Sequence, residues 1–68
     1  MTSEQNRTLL DLYSLSMMGN LQEWEIKDEI EKAAIEMDRL FVKGENTDDV
    51  SEYYQELWKM LGIYNMPR

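Results

Sequence analysis

The sequence predicts an all-α protein, a three-helix bundle, and three observations carry that prediction. Apolar residues recur at helical spacing in three separate segments. Gly19, Gly44 and Gly62 fall where each segment should stop. The sole proline, Pro67, lies beyond all three, so no helix is interrupted. The expected architecture is a helical hairpin, 3–18 with 21–43, completed by a third helix, 47–62, in a single small acidic domain spanning 1–68.

The first helix opens on Thr2. Gln5, three residues later, completes the pattern of a capping box, in which each side chain closes a backbone N–H of the other's residue. Leu9, Leu10, Tyr13 and Met17 form one apolar stripe, the expected core face, and Gly19 suits the left-handed residue that ends a helix. Asn20 with Glu23 repeats the capping pattern for the second helix, so Gly19-Asn20 reads as a tight connection folding it back on the first. Ile26, Ile30, Ala33, Met37 and Leu40 then follow at spacings of 4, 3, 4 and 3, widened by Ala34 and Phe41. Arg39 and Lys43 complement the helix dipole in the last turn before Gly44. Asn46 or Thr47 caps the third helix, with Asp48, Asp49 and Glu52 at its positive end. Val50, Tyr54, Leu57 and Leu61 make its seam, flanked by Tyr53, Met60 and Tyr64, and Gly62 is the expected stop.

Composition excludes several function classes. The 68 residues contain no Cys and no His, which removes disulfides, the usual zinc sites and nucleophilic triads built on either residue. With 7 Lys plus Arg against 14 Asp plus Glu, the net charge is −7, which repels nucleic-acid phosphates and anionic membranes. No apolar run approaches the ~20 residues of a membrane span, and no signal-peptide pattern opens the chain. The glycines sit at helix ends, not in a phosphate-binding loop. The acids of the second helix alternate with lysines, as in the i,i+4 pairs Glu23–Lys27 and Asp28–Lys32, so they read as a solvated face and not as a metal site. ENTDDVSEYYQE lacks the central Gly of a calcium loop. No cofactor and no enzymatic activity are expected, and a cytoplasmic setting fits the absence of Cys.

The apolar residues that miss the seams are the informative ones. Trp24, Ile35 and Val42 fall together on the second helix, roughly 120–140° from Ile30. Leu12, Leu15 and Met18 lie off the Tyr13 stripe, and Leu21 follows the turn. These seven residues are the candidate partner-binding set, because an apolar surface that a bundle does not need marks an interaction site.

The run LLDLYSLSMMGNLQEWEIKDEIEKA resembles the Sda family of small helical-hairpin inhibitors of a sporulation histidine kinase. Shared features are a Leu-rich first helix, a Met-Asn-Leu-like turn, here Met18-Gly19-Asn20-Leu21 with one extra Gly, and an Ile/Glu-rich second helix. The resemblance covers less than half of the chain. Ala34-Ile35-Glu36-Met37-Asp38 is similar, at Glu36 and Asp38 alone, to the Ser-Gln-Glu-Leu-Asp motif of small aspartyl-phosphate phosphatases acting on sporulation response regulators. Ala34 and Ile35 replace the Ser and Gln, which argues against phosphatase chemistry. Both resemblances imply a regulator that docks on a larger signalling enzyme.

The expected function is therefore a non-catalytic regulator or inhibitor that binds a protein partner, one with a basic surface, through a helical apolar face. The alternatives are an acidic DNA mimic, encoded by a phage or mobile element, that occupies a DNA-binding groove, and a structural homo-oligomer such as a homodimer. Direct nucleic-acid binding and membrane binding are not expected.

Overall fold

The computed structural model describes residues 1–66, and among these it contains three helices and no strand. Helix α1 (Ser3–Met17) starts as its sequence dictates. The Gln5 N–H donates to Thr2 Oγ1 at 3.2 Å, and the Thr2 N–H donates to Gln5 Oε1 at 3.0 Å. At its far end Gly19 takes φ +74°, the Asn20 N–H donates to the Leu15 carbonyl at 2.9 Å, and the Gly19 N–H donates to the Ser16 carbonyl at 3.1 Å. This double closure engages the last carbonyls of α1.

That closure explains why helix α2 (Glu23–Lys43) begins later than the expected Asn20 cap. Asn20 belongs to the end of α1, and Leu21 is drawn into the core. The chain re-enters a helix after Gln22, whose N–H donates to the Glu25 carboxylate at 2.9 Å. Gly44, also at φ +74°, ends α2 by the same device, with the Glu45 N–H on the Leu40 carbonyl at 2.9 Å. Helix α3 (Asp48–Tyr64) opens where Asn46 Oδ1 accepts the Asp48 N–H at 2.7 Å. Gly62 does not stop it. Its φ is not positive, Leu61 beside it is buried, and the Asn65 N–H closes on the Leu61 carbonyl at 3.0 Å. Burial of Leu61 outweighs the weak helix preference of one glycine.

The chain is the expected all-α three-helix bundle, but its most extensive pairing is α2 with α3, while α1 rests mainly on α3 and barely meets α2. The reason lies on α2. Glu25, Glu29, Lys32 and Glu36 form a charged stripe on the flank where Glu29 meets Tyr53 of α3. That flank gives α1 little apolar surface to bury. The N-terminal amine lies 3.1 Å from Asp49 and 3.5 Å from Glu52, and Ser16 and Gly19 share a cleft with Ile63 and Tyr64, so α1 runs parallel to α3.

Helix α1 also turns a different face inward from the expected one. Leu9 and Leu12 are buried and Leu15 packs against the core, whereas Leu10, Tyr13 and Met17 are exposed. The core joins Leu9, Leu12 and Leu21 to Ile26, Ile30 and Ala33 of α2 and to Val50, Tyr53, Leu57, Met60 and Leu61 of α3. Ile26 and Leu57, each 0% exposed, are its centre.

Truncating Leu57 to Ala should cost about 2–5 kcal/mol. The glycines should split in sign. Gly44→Ala forces a Cβ into the left-handed region and should cost about 1 kcal/mol. Gly62→Ala meets no atom within 4 Å in a regular helix and should stabilise by about 0.5–1 kcal/mol. Urea unfolding followed by circular dichroism checks all three.

Candidate functional site

One buried polar group sits at the junction of the helices. Tyr53, in the core of α3, donates its phenol O–H to Glu29 of α2 at 2.9 Å. Glu29 in turn lies 3.6 Å from Lys32, so its carboxylate keeps a cation and water within reach. Burial, followed by the bond to Glu29 and that residue's negative charge, holds the Tyr53 phenol well above its ordinary pKa, against an opposing pull from the Thr8 hydroxyl of α1. Side chains of all three helices thus meet at Tyr53. The group is a structural tie between α2 and α3.

The acids do not gather into a site. Lys27 lies 2.9 Å from Glu23, Lys32 3.1 Å from Asp28, Arg39 2.6 Å from Glu36 and Lys59 3.2 Å from Glu56. Among the described residues no group of three or more acids is placed to hold a metal ion. Glu36 and Asp38, the two matches to the phosphatase motif, diverge: Glu36 is tied to Arg39, whereas Asp38 lies at the edge of a surface groove.

What remains is apolar surface. Of the seven residues expected to bind a partner, Leu12 and Leu21 lie in the core and Leu15 packs against it, so these three are occupied by the fold itself. Met18, Trp24, Ile35 and Val42 are exposed. Trp24 (65% exposed), Ile35 (62%) and Val42 (77%) align along the outer side of α2, roughly opposite Ile26 and Ala33. A second uncovered stripe, Leu10, Tyr13 and Met17, follows the outer side of α1, where their spacing predicts a core face. The first helix carries two apolar stripes of similar quality. What separates them is that the buried one is mostly leucine, while the exposed one includes Tyr13 and Met17.

A third apolar feature lies between α2 and α3. Ala34, Met37, Asp38, Phe41, Thr47 and Tyr54 line a shallow groove of about 350 Å³. Phe41, expected to widen the core seam, stands exposed on its α2 side, while Met37 and Tyr54 join its floor to the core. Tyr54 meets Trp58 edge to face, with ring centroids 6.2 Å apart, and Trp58 is itself half exposed.

The shape matches this surplus of uncovered surface. The radius of gyration, 12.6 Å, exceeds the about 11 Å of a compact chain of this length. The accessible surface is 5156 Å², against about 4,500 Å² for a folded monomer of this mass. No described helix is long and apolar enough to cross a membrane. The chain matches no family model, no curated protein and no solved structure.

Tyr53→Phe should cost about 1.5 kcal/mol, the lower end for a bond to a charged group because Glu29 keeps Lys32 and water. The raised phenol pKa also sets a pH dependence. Its stabilisation is fully present below the ordinary tyrosine value of 10.0 and is lost as pH rises above it. The stability difference between the native chain and Tyr53→Phe, from urea unfolding at a series of pH values, should therefore shrink above pH 10.

Proposed function

We propose that this chain is a non-catalytic regulator or inhibitor that acts by docking on a larger protein through an uncovered apolar face of its helices. The observation that carries the reading is the surplus surface. The chain exposes about 600 Å² more than a compact monomer would, and Leu10, Met17, Trp24, Ile35, Phe41 and Val42 stand exposed on it. The exposed side chains include Trp24 and Tyr13, residue types that anchor interfaces. The net charge of −7 adds steering toward a basic partner surface. A signalling enzyme is the class of partner that the resemblance to small kinase inhibitors implies.

The homo-oligomer draws on the same apolar faces and is the second reading. The DNA mimic receives less support, because lysines and an arginine already neutralise much of the α2 acid face, breaking the unbroken carboxylate row that would copy a phosphate backbone.

A photo-crosslinker placed at position 35 should, in extract from the native source, form one dominant adduct with a different protein. Trp24→Ala and Val42→Ala should lower its yield at least about tenfold while leaving the melting temperature nearly unchanged, because neither side chain touches the core. An adduct with the chain itself, seen also by sedimentation of the purified protein, would favour the homo-oligomer. A yield at position 35 no greater than at position 32, on the charged stripe, would overturn docking through this side of α2.

A further inference from the structure

The groove between α2 and α3 has the form of a vacant helix seat. Helix α1 covers one flank of the α2–α3 pair, where the N-terminal amine meets Asp49 and Glu52 and where Tyr53 meets Glu29. The groove lies on roughly the opposite flank of α3. There Ala34, Met37 and Phe41 recur along α2 at helical spacing, and they face Thr47, just before α3, and Tyr54 of α3, which Trp58 extends by one turn. Two such ridges with a trough between them are what a further helix packs into. At about 350 Å³ and open to solvent, the trough is too shallow to enclose a small ligand but suits a row of side chains.

Along the groove the α2 rim is acidic, since the nearest cation on that flank, Lys27 two turns before Ala34, is held by Glu23. Asp38 forms part of the wall, and Glu31 stands one turn before Ala34 on the same flank of α2. Neither has an ion-pair partner among the described residues, although Glu23, Asp28, Glu29 and Glu36 of the same helix each have one. The α3 rim carries uncharged Ser51 and Gln55.

We infer that this groove receives one helix of the partner, amphipathic, with an apolar stripe against Ala34, Phe41 and Tyr54 and a lysine- or arginine-rich edge over Glu31 and Asp38. The inference rests on the protein-docking reading above and specifies where and what the chain binds. A second copy of the chain is the poorer occupant. Its uncovered α1 stripe brings a single cation, Arg7, with Glu4 and Asp11 near it, and its own groove edge is acidic.

The probe is a synthetic helix of about 18 residues, five turns, made of Leu and Lys in helical period. Controls are its Leu/Glu counterpart and a scrambled Leu/Lys peptide that cannot form a stripe. In NMR titrations of the full chain, the Leu/Lys helix should shift the amides of Ala34, Phe41 and Tyr54, and the controls should not. Ala34→Arg fills the groove at an exposed position, and Asp38→Lys reverses its rim. Each should weaken binding at least about tenfold and leave the melting temperature unchanged. Equal binding of the scrambled peptide, binding indifferent to Ala34→Arg, or no binding at all would overturn the inference. So would a concentration-dependent dimer that Ala34→Arg abolishes, since the occupant would then be a second copy. The two proposals also fail separately. If Ala34→Arg leaves the position-35 adduct intact, the groove assignment falls and docking stands. If the adduct never forms, docking through that side of α2 falls whatever the peptides do.

Discussion

Helix α3 is the surface that both other helices need. Its buried residues, Val50, Tyr53, Leu57, Met60 and Leu61, extend around more of its circumference than the buried set of either α1 or α2. Ile26, Ile30 and Ala33 close over it from α2, and Leu9 and Leu12 from α1. Because the facing flank of α2 is charged, α1 has one apolar surface to settle on, that of α3. Much of the remaining architecture follows from this dependence. The first two helices, joined by a short turn, do not form the main pair. The bundle is elongated, 42 Å in its longest dimension, and the flank of the α2–α3 pair opposite α1 has no cover. A chain of three helices with a single shared hub cannot bury every apolar stripe it carries.

The Tyr53–Glu29 bond belongs to the same constraint. A phenol at the edge of a small core must find an acceptor or bear the cost of an unpaired polar group. It finds one because α2 turns its charged stripe toward this junction. The carboxylate stays about a quarter exposed beside Lys32, so the bond forms without isolating a full charge. Such a contact fixes how α2 rotates against α3 and hence which α2 residues face outward. Rotating α2 to bury Trp24 and Ile35 would pull Glu29 from Tyr53 and lift Ile26 from the core.

Much of the fold was legible from residue spacing. The helices begin and end near the expected positions, and the α2 and α3 seams lie in or against the core, because a 4-3-4 spacing carried through several turns has one inward solution. The departures share a cause: local signals compete with tertiary contacts that residue spacing does not show. Asn20 is a sound cap by type, but its N–H was already engaged in closing α1. Gly62 is a sound stop by type, but burial of Leu61 carries the helix past it. On α1, where two stripes compete, spacing alone could not choose, and the choice reversed the roles of Leu12 and Tyr13. The Trp24, Ile35 and Val42 surface was legible because α2 has one seam and everything opposite it must face outward. The groove was not legible at all, since it combines residues of two helices whose register is set by the packing.

The uncovered surface and the modest core also bear on each other. A domain of this size gains little from its own interior, without disulfide or metal to support it. A partner that binds the native state alone adds stability by mass action, about 2.7 kcal/mol when present at a hundred times its dissociation constant. The α2–α3 pair would gain most from a helix laid in its groove, because Met37 and Tyr54 reach from the floor of that groove into the core. Excluding water from the groove would tighten the packing around Tyr54 and, through it, around α3, the helix on which α1 depends. Docking at the proposed groove would therefore be linked, through one helix, to the holding of α1, and a partner seated there would stabilise all three.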